Sequence, residues 1–304
     1  MKPSLAVFIL SILLVVCPLE AQPRVISTEE LPLGTGRTWQ NPRFSPSGRS
    51  VFYTSSNFHG IWEFSLDSRT IRQITADPSS GYGYTISHDG KTLAYRTTIL
   101  LPTRHRKQQI VLRNLVDADR KVVDSGEDIS TPAFAGGKLF YSKSGQMRDV
   151  SVDSSTGNIE ILGIENTKIV LLKGLEKVFL DPFGFGGSYV WPSLSPDKKT
   201  ILAYEMKHGT FIAHLDGTVI SILGRRDSPS WTHDGKWIAY MDEKDDGYRI
   251  LTSDILLVSP DGAETHRLTT TQDSIELDPH CSPAQKEIVY HTLDGKVFIL
   301  TYTE

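Results

Sequence analysis

The stretch "WTHDGKWIAY" at 231–240 constrains this chain more than any other feature, because relatives of it return five times. "RFSPSGRSVFY" stands at 43–53, "TISHDGKTLAY" at 85–95 and "SLSPDKKTILAY" at 193–204. Two worn copies follow the same plan, "AFAGGKLFY" at 133–141 and "HCSPAQKEIVY" at 280–290. Each copy joins an apolar anchor to a turn rich in Ser, Pro, Asp or Gly and then to a strand of alternating pattern. Self-similarity at this period means one supersecondary unit repeated, with neighbours burying each other's apolar faces.

Aligned on the anchors Phe44, Ile86, Phe134, Leu194, Trp231 and Cys281, the copies lie 42, 48, 60, 37 and 50 residues apart. A third candidate strand follows each turn strand: "IWEFSLD" 61–67, "IVLRNLVD" 110–117, "MRDVSVD" 147–153, "FIAHLDG" 211–217 and "ILLVSPDG" 255–262. A fourth follows: "IRQIT" 71–75, "KVVDS" 121–125, "IEILG" 159–163, "VISIL" 219–223 and "HRLT" 266–269. Short strands bounded by Asp, Gly, Ser and Pro mark an all-β chain. The expectation is a six-bladed β-propeller of four-stranded antiparallel blades, since radial repetition leaves few exposed edges. The last unit, 278–302, is one strand short, and "RVIST" 24–28 has no partner of its own. The ring is therefore expected to be closed by the N- and C-terminal strands.

The turns are chemically legible. Asp-Gly at 89–90 and 234–235 and Ser-Gly at 47–48 tolerate positive φ in a tight hairpin. Ser45, Ser87, Ser195 and Ser282 follow their anchors and can bond the turn backbone. Pro42, Pro132, Pro192, Pro229 and Pro279 lie two residues before their anchors, where each is expected to begin an inner edge strand. His88, Asp89, His233 and Asp234 recur at equivalent turns of separate units, which reads as turn chemistry rather than a metal site.

The consensus Pro-x-aromatic-Ser-Pro-Asp-Gly-Lys-x-Ile-Ala-Tyr, met closely by 192–204 and 229–240, resembles the WD40-like repeats of the TolB-like β-propeller family. The resemblance spans nearly all of the chain after residue 21. The α/β domain that precedes the propeller in TolB has no counterpart here. The resemblance implies a non-enzymatic protein-interaction platform of the bacterial cell envelope, binding an envelope protein or a glycan. The alternative is a propeller enzyme of the oligogalacturonate-lyase type, which gathers His, Gln and Arg around a metal at the channel mouth. His105 and His280 are the available histidines for it.

Residues 1–21 read as a secretory signal peptide and 22–304 as the propeller domain. Met1-Lys2-Pro3 is a short positive start, 5–16 is an apolar run broken only by Ser11, and Ala21 ends the segment. Lipid attachment at Cys17 is the lesser alternative, because Val16 stands where Gly, Ala or Ser is usual. Either route gives a periplasmic or secreted protein, with Cys281 alone and no internal disulfide. A hydrophobic content of 39% leaves no further membrane span, and a net charge of −4 with one basic cluster, 104–107, argues against nucleic acid. No nucleophile elbow, phosphate loop or metalloprotease helix is present, "DEKDDG" 242–247 lacks a calcium-loop ligand set, and "GFGGS" 184–188 lacks dinucleotide spacing. No catalytic residue, cofactor or metal is expected, and the chain is expected to be a monomer.

Binding is expected on the face opposite the recurrent turns, where three insertions fall: 97–109, 164–190 and 241–254. The same face shows the starts of the inner strands, Asn41, Gly83, Thr131, Trp191, Ser228 and Asp278. The candidate partner-binding residues are Arg104, His105, Arg106, Phe183, Phe185, Tyr189, Trp191 and Asp278.

Overall fold

The computed structural model describes residues 22–152, 159–174, 176–184 and 186–304. The signal-peptide and Cys17 readings lie outside them. Among these residues there are seven sheets rather than six, all antiparallel, and six of them are built from strands consecutive in the chain.

Blade 1 is Trp39–Phe44, Ser50–Ser55, Ile61–Ser65 and Ile71–Thr75; blade 2 is Tyr84–Ile86, Thr92–Leu100, Arg106–Asn114 and Arg120–Gly126. Blade 3 is Ala133–Ala135, Lys138–Lys143 and Gln146–Ser151, and blade 4 is Glu160–Glu165, Lys168–Lys173 and Glu176–Leu180. Blade 5 is Tyr189–Leu194, Thr200–Glu205, Gly209–His214 and Val219–Gly224; blade 6 is Asp227–Trp231, Ile238–Asp245, Ile250–Val258 and Thr265–Arg267. Blade 7 takes Glu276–Cys281, Glu287–Thr292 and Val297–Thr303 from the end of the chain and Arg24–Glu30 from its start. The closing pair runs from Arg24 opposite Thr303 to Glu30 opposite Phe298, as the unpaired "RVIST" required.

The six-blade expectation fails in the 60-residue interval between Phe134 and Leu194. "IEILG" is not the outer strand of blade 3. It is the inner strand of an added blade, paired with Lys168–Lys173 through Glu165 opposite Lys168. The turn between them, Asn166-Thr167, has both residues at positive φ (49° and 64°), the backbone of a two-residue hairpin without glycine. Blades 3 and 4 each have three strands among the described residues, so two units fit where one had been expected.

Packing counts the blades independently. Buried apolar residues form seven clusters, one at each interface between neighbours. Lys168–Lys173 shows why: Ile169 and Leu171 join Ile201 and Phe211 of blade 5, while Val170 and Leu172 join Ala135 and Phe140 of blade 3. Alternate side chains leave a strand on opposite faces, and here both faces meet a neighbour. The cluster between blades 7 and 1 holds Val289 and Val297 against Tyr53, Phe64, Leu31 and Leu33, which completes the ring.

The recurrent turns behave as read. Ser87 Oγ donates to Asp89 Oδ1 (2.6 Å) and accepts from the Thr92 amide (2.9 Å). Ser195 repeats this with Asp197 and Thr200, and Thr232 with Asp234 and Trp237. These bonds hold the Asp89, Asp197 and Asp234 carboxyls below their ordinary range.

Candidate functional site

The inner strands carry a second repeat. Asn41, Trp191, Ser228 and Asp278 each precede a proline, and each has a left-handed backbone, with φ of 52°, 52°, 49° and 51°. At each of them the pairing with the next strand slips by one residue: between Gln40 and Arg43, Val190 and Ser193, Asp227 and Ser230, and Leu277 and His280. Proline has no N–H to lose from the ladder, so the left-handed residue and its proline form a bulge. Pro42, Pro192, Pro229 and Pro279 thus sit inside their strands and do not begin them. Left-handed non-glycine residues cost of order 1 kcal/mol or more each and gather where a backbone is held for a purpose. The four bulges occupy blades 5, 6, 7 and 1, one continuous arc of the ring.

That arc lines the central channel, a cavity of about 870 Å³. Its wall includes Phe58 and Tyr82, from the connection face, and Pro196, His233 and Pro283, from the turn face, so the channel crosses the ring. Hydrogen bonds between blades stiffen the wall. Ser228 Oγ donates to Asp278 Oδ1 (2.9 Å), the Cys281 amide to Ser230 Oγ (3.0 Å), and the Tyr84 hydroxyl to the Asn41 carbonyl (3.4 Å). The Phe44 amide donates to His280 Nδ1 (3.3 Å), which leaves the ring proton on Nε2. Burial, with the Arg43 charge adding to it, pushes His280 down to about 3, so the imidazole is neutral. Burial pushes the Cys281 thiol up to about 12.

Polar capacity remains along the wall. Gln40 Nε2, Ser193 Oγ, Trp231 Nε1 and His233 Nδ1 belong to lining residues and have no hydrogen-bond partner among the described residues. Arg43 Nε bonds only the Asn41 amide oxygen (3.2 Å). At the mouth two aromatic side chains stand out, Tyr82 at 59% and Trp191 at 43% exposed.

Of the expected partner-binding residues, the structure brings Trp191 and Asp278 together on the channel wall. Arg104, His105 and Arg106 lie instead at the exposed end of the blade 2 hairpin, joining Thr92–Leu100 to Arg106–Asn114. Phe183 packs flat on His208 (4.1 Å between centroids) and edge-on to Phe211, and Tyr189 is buried with its hydroxyl donating to Asp181 (2.8 Å). Phe185 lies outside the described residues. Two of the three insertions are long hairpins, and the third is largely blade 4. Sequence reasoning missed Arg43, Gln40 and Tyr82; the signal for Arg43 and Gln40 was their offset from the recurring proline. Among the described residues no cluster of three His, Cys, Asp or Glu could hold a metal. No helix among them is long and apolar enough to cross a membrane.

No protein-family model and no curated protein sequence matches the chain. Solved structures with a similar fold include the Swd1 β-propeller domain from Myceliophteria thermophila, at 10% identity and a TM-score of 0.64, covering 92% of this chain and 100% of that one. TolB from Acinetobacter baumannii is similar at 17% identity and 0.54, over 79% of this chain and 56% of that one. An oligogalacturonate lyase from Vibrio parahaemolyticus is similar at 12% and 0.52, over 88% and 79%. The chain is a β-propeller of seven blades; at these identities the likeness carries the fold and no residue role.

Proposed function

We propose that this protein is an exported, non-enzymatic binding propeller, a protein-interaction platform of the bacterial cell envelope, whose partner docks over the channel mouth on the connection face. The observation that carries this reading is the arc of four left-handed inner-strand residues around the channel, with Trp191 and Tyr82 exposed at its rim. Strain held at equivalent positions in four blades presents side chains in a fixed array, and exposed aromatics beside a polar wall are what interfaces favour. The likeness to TolB supports it at the level of architecture. A photo-crosslinking side chain placed at 191 in cells should capture a partner that the same probe at 261, on a turn of the opposite face, does not. Trp191→Ala should then weaken that partner tenfold or more with melting nearly unchanged. Capture at 261 alone would move the site to the turn face.

A polysaccharide lyase is the second reading, favoured by Gln40, Arg43 and His280 on one stretch of channel wall. His105 does not join them. Turnover of polygalacturonate that is lost in Arg43→Ala would establish it.

A further inference from the structure

We propose, independently of the channel, that the blade 2 hairpin docks the protein on an anionic lipid surface. Its outer part is built as an apolar arm beside a basic arm. Ile99, Leu100, Leu101 and Pro102 run up one side, and Arg104, His105, Arg106 and Lys107 return down the other. Register places Ile99 opposite Lys107 and Leu100 opposite Arg106, so each face of the hairpin carries one apolar and one cationic side chain. The end is closed by backbone bonds from Leu101 N to His105 O and from Arg104 N to Leu101 O, both 2.9 Å. Thr98 is the last residue of the apolar arm tied to the ring, through its amide to Pro78 O (3.1 Å). Beyond it the hairpin extends by about 10 Å at ~3.3 Å per residue, with Leu100 and residues 102–106 exposed and Ile99, Leu101 and Lys107 half-buried. Leu100 is 70% exposed there, a large apolar side chain facing solvent.

Charge distinguishes this hairpin from its counterpart. The chain is acidic overall, yet no Asp or Glu occurs between Asp89 and Asp117. Arg104, Arg106 and Lys107 have no acidic partner among the described residues. The long hairpin of blade 6 holds Asp242, Glu243, Asp245, Asp246 and Asp254, but these are answered by Arg249 within it and by Arg225 and Arg267 from the chain on either side. Arg225 pairs with Asp227, Glu243 and Asp245, Arg267 with Asp242 and Asp254, and Arg249 with Asp246. The charges of one hairpin are paired within its own blade and the adjoining connection, and the other leaves its cations open to an external anion. A soluble acidic protein would satisfy those cations, but acidity alone offers no apolar surface to Leu100 and Leu101. An anionic bilayer takes both, burying the apolar arm at the headgroup boundary while the basic arm meets phosphates.

Amide hydrogen exchange on the full chain, with vesicles of phosphatidylcholine alone or mixed with phosphatidylglycerol, tests this directly. The readout must be local, because the apolar run 5–16 can bring the chain to any bilayer. Exchange over 97–109 should slow with the phosphatidylglycerol mixture and not with phosphatidylcholine. Arg104→Glu with Arg106→Glu and Lys107→Glu should weaken that protection on the order of 100-fold in vesicle concentration. Leu100→Ser should weaken it about tenfold. All four side chains are outside the core, so melting serves as the folding control. Absent protection, or equal protection by both vesicles, would overturn the proposal. Protection by soluble polyglutamate that Leu100→Ser leaves unchanged would also overturn it, in favour of an acidic protein partner.

Discussion

At the scale of single residues, neutrality of the channel histidine is the property most open to measurement. His280 accepts an amide proton at Nδ1 in a partly buried site beside Arg43, and its folded pKa of about 3 lies below the ordinary 6.5. The unfolded chain therefore binds a proton that the folded chain refuses between those values. Stability from this group is complete above about pH 6.5 and is lost as pH falls toward 3, at up to about 1.4 kcal/mol per pH unit. His291, buried near Asp278, shifts in the same direction, so the acid limb has two contributors. His280→Asn keeps an acceptor for the Phe44 amide and cannot titrate. Denaturant midpoints of the variant between pH 7 and 4 should fall less steeply than those of the natural chain, and parallel curves would place the titration elsewhere. Tyr189 and Phe183 teach the complementary lesson. Aromatic character in a Gly-rich segment does not tell exposure from packing, and both side chains serve the interface between blades 4 and 5.

At the scale of elements, blade 4 is the test of how the chain was read. Leu171 and Leu172 face opposite neighbours in Lys168–Lys173, each nearly fully buried. Truncating either to Ala should cost about 2–5 kcal/mol, whereas in a surface insertion the cost would stay within about 0.5 kcal/mol. Thermal melts of the two variants decide between a blade and a loop. The copies at 85–95, 193–204 and 231–240 were legible because their turn bonds are local: a Ser or Thr hydroxyl, a following carboxylate and two amides within six residues. Blade 4 carries no such turn. Its hairpin uses Asn166 and Thr167, whose left-handed backbone is imposed by strand twist and by partners on both sides rather than announced by glycine.

At the scale of the molecule, closure joins the first strand to the last. All seven residues of Arg24–Glu30 are exposed, so this strand contributes its backbone ladder more than buried area, and Leu31 and Leu33 behind it supply the packing. Deleting 22–30 would open the ladder along Val297–Thr303 and leave an exposed edge. The melting temperature should drop sharply and the truncated chain should self-associate; an unchanged melt would show the ring closed by blade packing alone.

The sequence by itself determined the all-β character, the radial plan, the turn bonds and the terminal closure, because each rests on contacts within one repeat or on an unpaired strand that must find a partner. It also placed Trp191 and Asp278 at inner-strand positions that recur beside proline. Only the tertiary structure decided the blade count, the left-handed bulges and the convergence of Gln40, Arg43 and His280 on one channel. Those depend on which residues from distant repeats face each other once the ring closes. The ring closes at seven because that is the number of sheets whose two apolar faces are all covered.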